Sequence, residues 1–258
     1  MELMEKVVVV TGAASGIGFG LAKKFAVEGA TVISSDLPGE VGEQRAREAG
    51  ARYFAADVAR ESEISALVGH VLATEGKIDL FCSNAGIGTR MDALAGQDAW
   101  DKIIDVNLSS QVWAARHVLP HMLERGEGYI LNTASAAGLL TEPGSIGYAT
   151  TKHASVGFSE WLAYSYRDQG IRVSVLCPEG VYTPMTDQAP YLLHNAITVA
   201  ELAGTVVQAL GEERFMITTH PSTMDMLRQK AADYEGYIDT LAARRAEILG
   251  IQGAAGKI

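Results

Sequence analysis

Apolar residues recur along this chain with two alternating periods, one typical of buried strands and one typical of helices. The first run, Val7 to Val10, is apolar at every position, which is typical of a strand covered on both faces rather than of an edge strand. Behind it, apolar residues return at spacings of three and four over 16–28, as in a helix with one buried face. The same change of period predicts further strands over 30–35, 52–56, 78–83, 128–133, 171–177 and 214–218, and helices over 39–49, 61–75, 98–124, 148–169, 199–210 and 224–248.

Strands that alternate with helices predict a parallel sheet, because each parallel connection must cross the length of the sheet. We therefore expect an α/β fold with a Rossmann-type, doubly wound parallel sheet of seven strands and helices on both faces. No linker, repeat or low-complexity segment divides the chain, so residues 1–258 are predicted to form a single domain. Pro120 is expected to kink the helix over 98–124 near its end.

Three glycines follow the first strand at once and open the first helix: Gly12, Gly16 and Gly18. Glycine lets the backbone approach another group closely, and the first helical turn leaves unpaired N–H groups at the positive end of the helix dipole. This arrangement favours a bound phosphate, although a tight turn without a ligand is the alternative. The stricter G-x-G-x-x-G pattern is not met.

Asp36 stands at the end of the second predicted strand, 18 residues after Gly18. Dinucleotide-binding folds place a carboxylate at this point, where it accepts hydrogen bonds from the adenosine ribose. The other interpretation is that Asp36 caps the helix that follows it, since Asp is favoured at that position.

Composition narrows the class of partner. Hydrophobic residues make up 48% of the chain, which is ordinary for a globular protein with a buried core. The net charge of −10 speaks against a surface for nucleic acid or anionic lipid, because both require basic patches. Cys82 and Cys177 lie within apolar runs, so we expect core residues in a reducing cytoplasm rather than a disulfide. The beginning of the chain lacks the pattern of a signal peptide, and no run of 18 apolar residues occurs. A small molecule is the expected partner, and the cytoplasm is the expected location.

Two residues have the chemistry of a proton-transfer pair. Tyr148 and Lys152 lie four residues apart on a predicted helix and therefore share one face. An ammonium group beside a phenol favours the phenolate and should lower the phenol pKa from its ordinary value of about 10. Ser135 is predicted at the end of the fifth strand, where its hydroxyl could hold a substrate oxygen. His117 and His121 have the spacing of a helical metal pair but no evident third ligand, so we predict no metal site.

The order and spacing of these motifs resemble the short-chain dehydrogenase/reductase family in its compact, NAD-dependent form. The resemblance rests on TGAASGIG over 11–18, Asn84-Ala85-Gly86, Asn107, Ser135 and Tyr148-x-x-x-Lys152, and it covers Lys6 to about Thr186. It implies an NAD(H)-dependent oxidoreductase that interconverts a secondary alcohol and a ketone.

The same resemblance assigns a role to each catalytic residue. It implies that Tyr148 is the general acid/base, that Lys152 lowers its pKa and holds the nicotinamide ribose, and that Ser135 orients the substrate oxygen. Asn107 would relay protons through water. The cofactor contacts implied by the family are Gly12, Ser15, Gly16, Ile17, Gly18, Asp36, Asp57, Val58, Asn84, Ala85, Gly86, Tyr148, Lys152, Pro178 and Thr183.

Two positions depart from the family pattern. Ser83 precedes Asn84 where a second Asn is usual, which leaves the main backbone contacts plausible. Glu179 follows Pro178 where Gly is customary, and its carboxylate would face a polar substrate group or point to solvent. We favour solvent, since an exposed Glu is the common case.

Electrostatics favour NAD over NADP. Asp36 would repel a 2′-phosphate, and no Arg or Lys occurs over 31–43 to offset that charge. Two alternatives remain open at this point. One is an NADP-linked carbonyl reductase, and the other is a nucleotide-binding sensor or scaffold without turnover, against which the intact Ser135, Tyr148 and Lys152 argue.

The resemblance also places the substrate. A substrate loop over about 184–197 and a C-terminal helix over about 222–249 would close the site around a small to medium, largely apolar alcohol or ketone. The residues expected to line it are Leu139, Leu140, Tyr182, Met185, Tyr191 and Leu192. By the same analogy the helices over 98–124 and 148–169 would pair across two-fold axes and form a homotetramer.

Overall fold

The computed structural model describes residues 1–250, which contain one sheet of seven strands. The strands are β1 (Val7–Thr11), β2 (Thr31–Asp36), β3 (Arg52–Ala55), β4 (Leu80–Ser83), β5 (Gly128–Thr133), β6 (Ile171–Cys177) and β7 (Met216–Thr218). Their order across the sheet is β3-β2-β1-β4-β5-β6-β7, and every pairing is parallel. The predicted doubly wound parallel sheet is confirmed.

Helices connect the strands. They are α1 (Gly16–Val27), α2 (Glu40–Ala49), α3 (Glu61–Glu75), α4 (Gln97–Ile104), α5 (Ser110–Arg125), α6 (Ala137–Leu140), α7 (Ile146–Tyr166), α8 (Val199–Gly211), α9 (Pro221–Ala232) and α10 (Tyr234–Leu249). The short helix α6 was not predicted, and the segment expected to be a loop after β6 contains two 3₁₀ helices, Thr186–Gln188 and Pro190–Asn195. No helix within residues 1–250 is long and apolar enough to cross a membrane.

The valines of β1 explain why this strand lies inside the sheet. Val8 and Val10 pack on one face among residues of α1 and α8, whereas Val7 and Val9 pack on the other face among residues of α3 and α5. Three of the four have no exposed surface. Each buried valine contributes about 1.5–3 kcal/mol to folding, and this is available on both faces only when helices cover both. Cys82 and Cys177 are buried as free thiols, as predicted.

A π-helical turn interrupts the helix that the sequence predicts as continuous over 98–124. Residues Asp105–Ser109 form this turn between α4 and α5, so the helix is present but its two halves are out of phase. Hydrophobic spacing alone gives no signal for a π turn, because one inserted residue leaves apolar positions at helical spacing on either side.

The predicted single C-terminal helix is wrong. The helix is interrupted at Asp233, whose backbone has the non-helical angles φ −143° and ψ 86°. Two helices, α9 and α10, are formed instead of one. The Asp233 side chain accepts the Gly236 N–H at 3.0 Å and so caps α10. Pro221 begins α9, a position that suits its fixed φ angle.

The carboxyl ends of the strands define where a ligand can bind. The chain runs outward from β1 through β2 to β3 on one side, and from the neighbouring β4 to β7 on the other. In open α/β sheets a crevice forms at this reversal of strand order. The glycine turn after β1 and the Asn84–Gly86 segment after β4 both lie there.

Candidate active site

The glycine turn is built by backbone contacts that leave no room for side chains. Gly12 and Gly16 have φ angles of +66° and +49°, which L residues rarely adopt. A Cβ on Gly12 would lie 2.7 Å from Ala85 Cα, and a Cβ on Gly18 would lie 2.1 Å from the Gly12 carbonyl oxygen. The turn is therefore pressed against the segment that follows β4.

The first turn of α1 offers donors to an anion. Ser15 is the N-cap residue and makes no side-chain capping bond within the described chain. Phe19 N–H donates to the Ser15 carbonyl at 3.1 Å, so the N–H groups of Gly16, Ile17 and Gly18 precede the first intrahelical bond. This donor set fits the pyrophosphate of a dinucleotide.

Asn84 joins three strand ends. Its side-chain amide donates to the Thr11 carbonyl at 3.1 Å and its Oδ1 accepts from Thr133 Oγ1 at 3.2 Å. Thr11 Oγ1 accepts the N–H groups of Asn84 and Ala85 at 3.0 and 3.2 Å. Because the Asn84 side chain is engaged by protein groups, it positions this segment from within. Thr11, which sequence reasoning left without a role beyond its motif, is the centre of these contacts.

Asp36 lies beside the glycine turn and does not cap α2. Its Oδ2 accepts the Ala14 N–H and its Oδ1 accepts the Leu37 N–H, both at 2.8 Å. Helix α2 begins at Glu40 with Gly39 as its N-cap, so the capping interpretation of Asp36 is wrong. Two backbone donors orient the carboxylate at the end of β2, where a ribose diol would reach it.

The segment after β3 lies next to Asp36. Ala56 N–H donates to the Asp36 carbonyl at 2.9 Å, which brings Asp57 and Val58 to the same edge of the sheet. Asp57 Oδ1 accepts the Ala59 N–H at 3.0 Å, so its carboxylate stabilises the turn into α3. Val58 is buried and packs against one face of the core.

Lys152 is buried behind Tyr148 on α7. Its Nζ donates to the Thr133 carbonyl at 2.9 Å and lies 5.5 Å from the centroid of the Tyr148 ring. Burial lowers the pKa of Lys152 to about 8. The lysine is therefore charged at neutral pH and close to losing its proton in mildly alkaline solution. The carbonyl of Thr133 is a partner that side-chain patterns cannot reveal.

Tyr148 shows a pKa shift opposite to the one that the sequence predicts. Burial raises the pKa of Tyr148, a hydrogen bond with Ser135 acts in the other direction, and the Glu142 carboxylate adds to the increase. The lowering expected from Lys152 does not occur, because desolvation of the phenolate has the largest effect on the Tyr148 pKa. Tyr148 is consequently a phenol at neutral pH.

Ser135 and Tyr148 line one cavity. Ser135 Oγ accepts the Ala137 N–H at 3.1 Å and donates weakly to the Pro178 carbonyl at 3.5 Å. Its hydroxyl is half-buried and faces the same space as the Tyr148 phenol. A substrate oxygen between the two hydroxyls would contact both.

Asn107 is fully buried on the π turn. Its Oδ1 accepts the Ile87 N–H at 2.8 Å, and its Nδ2 donates to the Ile87 carbonyl at 3.0 Å and to Thr151 Oγ1 at 3.2 Å. A Cβ on Gly86 would lie 3.4 Å from both Asn107 Oδ1 and Lys152 Nζ, so these two polar groups flank the same glycine. Thr151, next to Lys152 in sequence, is an additional member of the site.

Pro178 and Thr183 bring the segment after β6 to the other motifs. The Pro178 carbonyl accepts the Ala136 N–H at 2.9 Å. A Cβ on Gly16 would lie 3.2 Å from Thr183 Cγ2, which places Thr183 over the glycine turn. Both predicted contact residues therefore adjoin the crevice.

Glu179 does not point freely to solvent, so that expectation is wrong. Its Oε1 accepts hydrogen bonds from Ser222 Oγ at 3.1 Å and from Thr223 Oγ1, and its Oε2 accepts from Asn195 Nδ2 at 3.3 Å. Ser222 and Thr223 lie in the first turn of α9, where N–H groups and the helix dipole also favour a carboxylate. Glu179 thus joins the end of β6 to α9 and to the segment before α8.

A cavity of about 230 Å³ extends outward from Ser135 and Tyr148. Leu140, Met185, Tyr191 and Leu192 line it, as predicted. Two other expected residues do not. Leu139 is buried in the core, and the Tyr182 side chain is 55% exposed. Residues of α10, including Arg244, line it as well; the family resemblance places a C-terminal helix at the site but identifies none of these residues.

Comparison with known proteins gives the same family as the sequence motifs. Residues 6–191 match the family described as short chain dehydrogenase. The chain is 34% identical over 250 residues to 1-deoxy-11-beta-hydroxypentalenate dehydrogenase of Streptomyces exfoliatus, covering 90% of each protein. It is 33% identical over 244 residues to 2-(R)-hydroxypropyl-CoM dehydrogenase of Xanthobacter autotrophicus, covering 86% of this chain and 98% of that protein.

A solved structure of a short chain dehydrogenase/reductase from Burkholderia phymatum in complex with NAD superposes with a TM-score of 0.86 at 27% identity. The superposition covers 91% of this chain and 96% of that one. Shared sheet, shared motifs and coverage of most of the chain lead to one assignment. The protein belongs to the short-chain dehydrogenase/reductase family of oxidoreductases.

Proposed function

We propose that the protein is an NAD(H)-dependent dehydrogenase that interconverts a secondary alcohol and a ketone on a small to medium, largely apolar substrate. The observation that carries this proposal is that Ser135 and Tyr148 face one cavity while the buried Lys152 ammonium lies behind the Tyr148 ring. The two curated relatives described above are named as dehydrogenases of hydroxy compounds, which supports the same reaction class.

The chain's own residues divide the proton chemistry. A bound nicotinamide supplies hydride transfer to or from the carbinol carbon. Ser135 holds the substrate oxygen and Tyr148 exchanges its proton. Because burial raises the pKa of Tyr148, the phenol is ready to donate in ketone reduction, whereas alcohol oxidation requires the phenolate. In this mechanism the Lys152 ammonium stabilises that phenolate, and burial lowers the pKa of Lys152 to about 8.

Asn107 and Lys152 are placed to assist proton movement. Both flank Gly86. Lys152 Nζ donates to the Thr133 carbonyl, and the Asn107 side chain is held by the Ile87 backbone and by Thr151 Oγ1. We assign Lys152 to the nicotinamide ribose and Asn107 to a water-mediated proton relay that begins near Lys152 Nζ. The remaining parts of the dinucleotide would be held by the glycine turn, by Asp57–Val58 and by Ala85–Gly86.

Asp36 supports NAD as the cofactor. Its carboxylate is fixed by two backbone N–H groups at the end of β2 and would repel a 2′-phosphate. The first arginine of α2, Arg45, lies 5.0 Å over the Phe19 ring and pairs with Glu48 at 2.7 Å, so its charge is engaged by other residues. An NADP-linked carbonyl reductase is the alternative.

Replacement of Tyr148 tests the proposal. We expect Tyr148→Phe to lower kcat/KM for every active alcohol by about 10²–10⁴-fold, because it removes the proton-transfer group and leaves the ring. Tyr164→Phe, which alters an exposed tyrosine of the same helix, is the matched control. The measurements are NADH absorbance across an alcohol panel and NAD binding by calorimetry. Unchanged turnover in Tyr148→Phe would refute the assignment, and NAD binding without turnover by the unmodified protein would favour a sensor.

We also propose a homotetramer, in which α5 and α7 pair between subunits. The outer face of α7 supports it, since the Trp161 and Tyr164 side chains are 50% and 70% exposed. Sedimentation velocity at micromolar concentration should give about four times the chain mass of 27.4 kDa. A monomer there would contradict the proposal.

A further inference from the structure

Two arginines line the cavity that also holds Ser135 and Tyr148. Arg90 lies in the connection between β4 and α4, and Arg244 lies on α10, so they reach the cavity from distant parts of the chain. Within residues 1–250 neither side chain has a hydrogen bond or an ion pair to another residue. The adjacent Arg245 differs, because it donates to the Pro143 carbonyl.

The same cavity is lined by Tyr191. Burial raises the pKa of Tyr191, the Glu142 carboxylate adds to that increase, and the charges of Arg244 and Arg90 oppose it. The three side chains therefore belong to one cavity, and both guanidinium charges act on it.

The acidic residues of the cavity are already engaged by protein donors. Glu142 Oε1 accepts from Tyr191 OH at 2.6 Å and from the Gly144 N–H at 2.8 Å. Glu179 accepts from Ser222 and Thr223 of α9 and from Asn195 before α8. Among residues 1–250, the guanidinium groups of Arg90 and Arg244 thus remain without a hydrogen-bonded or ion-paired partner, in a chain whose net charge is −10.

We propose that the substrate carries a carboxylate remote from its reacting carbon, and that Arg90 and Arg244 bind this group. The inference rests on the proposed dehydrogenase function, which places the reacting hydroxyl or ketone at Ser135 and Tyr148. The apolar body then lies among residues such as Leu140, Met185 and Leu192. Guanidinium groups match a carboxylate geometrically and electrostatically, because two parallel N–H groups can donate to its two oxygens. Arg90 and Arg244 are specificity-determining residues in this arrangement.

Matched pairs of acids and esters test the inference. The probes are 3-oxo- and 4-oxocyclohexanecarboxylate and larger bicyclic keto acids, each compared with its methyl ester as a substrate for NADH-dependent reduction. We expect the preferred acid to exceed its ester in kcat/KM by about 10–100-fold. The double variant Arg90→Gln/Arg244→Gln should remove this preference by raising KM for the acid, with kcat and the ester kinetics little changed. Arg228→Gln, on the exposed surface of α9 and paired with Asp225, is the control.

Calorimetric titration of each keto acid into the NAD-loaded enzyme separates the two proposals. Acid binding that is lost in the double variant supports the carboxylate site even where turnover is slow. Reduction of the esters as readily as the acids, with no change in the double variant, would overturn the inference and leave the dehydrogenase function intact. Absence of any turnover would refute the proposed function, and equal binding of acids by wild type and double variant would then refute the carboxylate site too.

Discussion

The proposed cofactor edge and the proposed substrate cap of this protein are built in different ways. The cofactor edge comprises Gly12–Gly18, Asp36, Asn84–Gly86 and Lys152, and its contacts are mostly to backbone groups at strand ends. The substrate cap comprises residues 178–197 with α9 and α10, and side chains from distant segments hold it. Close backbone contacts at the edge tolerate few substitutions, whereas the side-chain contacts of the cap can be replaced by others. Substitutions in the cap can therefore change substrate preference without disturbing the edge.

Lys230 is an example of the side-chain contacts that hold the cap. This buried residue of α9 donates from Nζ to the Leu139 carbonyl at 2.7 Å. Its ammonium also lies 5.4 Å from the Tyr234 ring centroid and 5.9 Å from that of Tyr237. Tyr237 OH donates to the Leu140 carbonyl at 2.8 Å, so α9 and α10 are both fastened to α6. The cap is thereby anchored beside the catalytic groups without sharing them.

The largest effect should follow from removing the buried charge of the cofactor edge. We expect Lys152→Met to lower kcat/KM by about 10²-fold with every substrate. Because alcohol oxidation needs the phenolate, its rate rises with pH, and loss of the ammonium should move this rise to higher pH. Ketone reduction, which needs the phenol, should keep its activity at neutral pH better than oxidation does.

Profiles of kcat/KM from pH 6 to 10 in both directions measure this effect. Lys102→Met, an exposed position on α4, provides the control. If the rise in alcohol oxidation occurred at the same pH in Lys152→Met and wild type, the charge of Lys152 would have no part in setting the Tyr148 pKa.

A smaller effect, restricted to the cofactor, should follow from Asp36→Ala. We expect NAD affinity to fall about tenfold, because charge-assisted hydrogen bonds to the ribose are lost, and NADP affinity to rise as repulsion disappears. Binding of each dinucleotide by calorimetry measures the change. Asp36→Asn removes the charge but keeps an acceptor for backbone N–H groups, and Asp239→Ala, at an exposed position of α10, controls for surface charge. Comparable wild-type affinity for both cofactors, with no gain for NADP in Asp36→Ala, would instead favour the NADP-linked reductase.

The smallest effect should come from the cap. Glu179→Gln weakens the acceptors that hold Ser222, Thr223 and Asn195, so we expect KM for the substrate to rise about three- to tenfold while NAD affinity stays the same. Steady-state kinetics and NAD titration together measure this split. Glu235→Gln on α10 is an exposed control. An equal loss of NAD affinity would remove the distinction between edge and cap.

Predictability from sequence follows the same division. The valines of β1, the glycines at 12, 16 and 18, and the pair Tyr148 and Lys152 carry local patterns that predict the sheet and bring the candidate site together. The engagement of Glu179 by Ser222 could not be predicted, because 43 residues separate the partners and either is ordinary at a surface. The opposite pKa shift of Tyr148 was also hidden, since desolvation depends on what surrounds the ring and not on its neighbours in sequence.

The sequence does contain a signal for the helix break at Asp233, but the apolar spacing around it favours a continuous helix. Asp is favoured at helix N-caps, and Gly236 follows three residues later, yet apolar spacing continued across the break. No sequence pattern predicts that Arg90 and Arg244 line one cavity, because this depends on how α10 packs over it.

The π turn at Asp105–Ser109 makes the rotational phase of α4 depend on chain length. An α-helix advances about 100° per residue, so deleting one residue from the turn would rotate α4 by about that angle relative to α5. Ile103 is fully buried, and its side chain would lie 3.1 Å from a Cβ placed on Gly147 of α7. Rotation would carry Ile103 out of the core and move Asn107 away from Ile87. A one-residue deletion here would therefore turn a different face of α4 toward the core, and it would destabilise the fold far more than the loss of one residue from a loop.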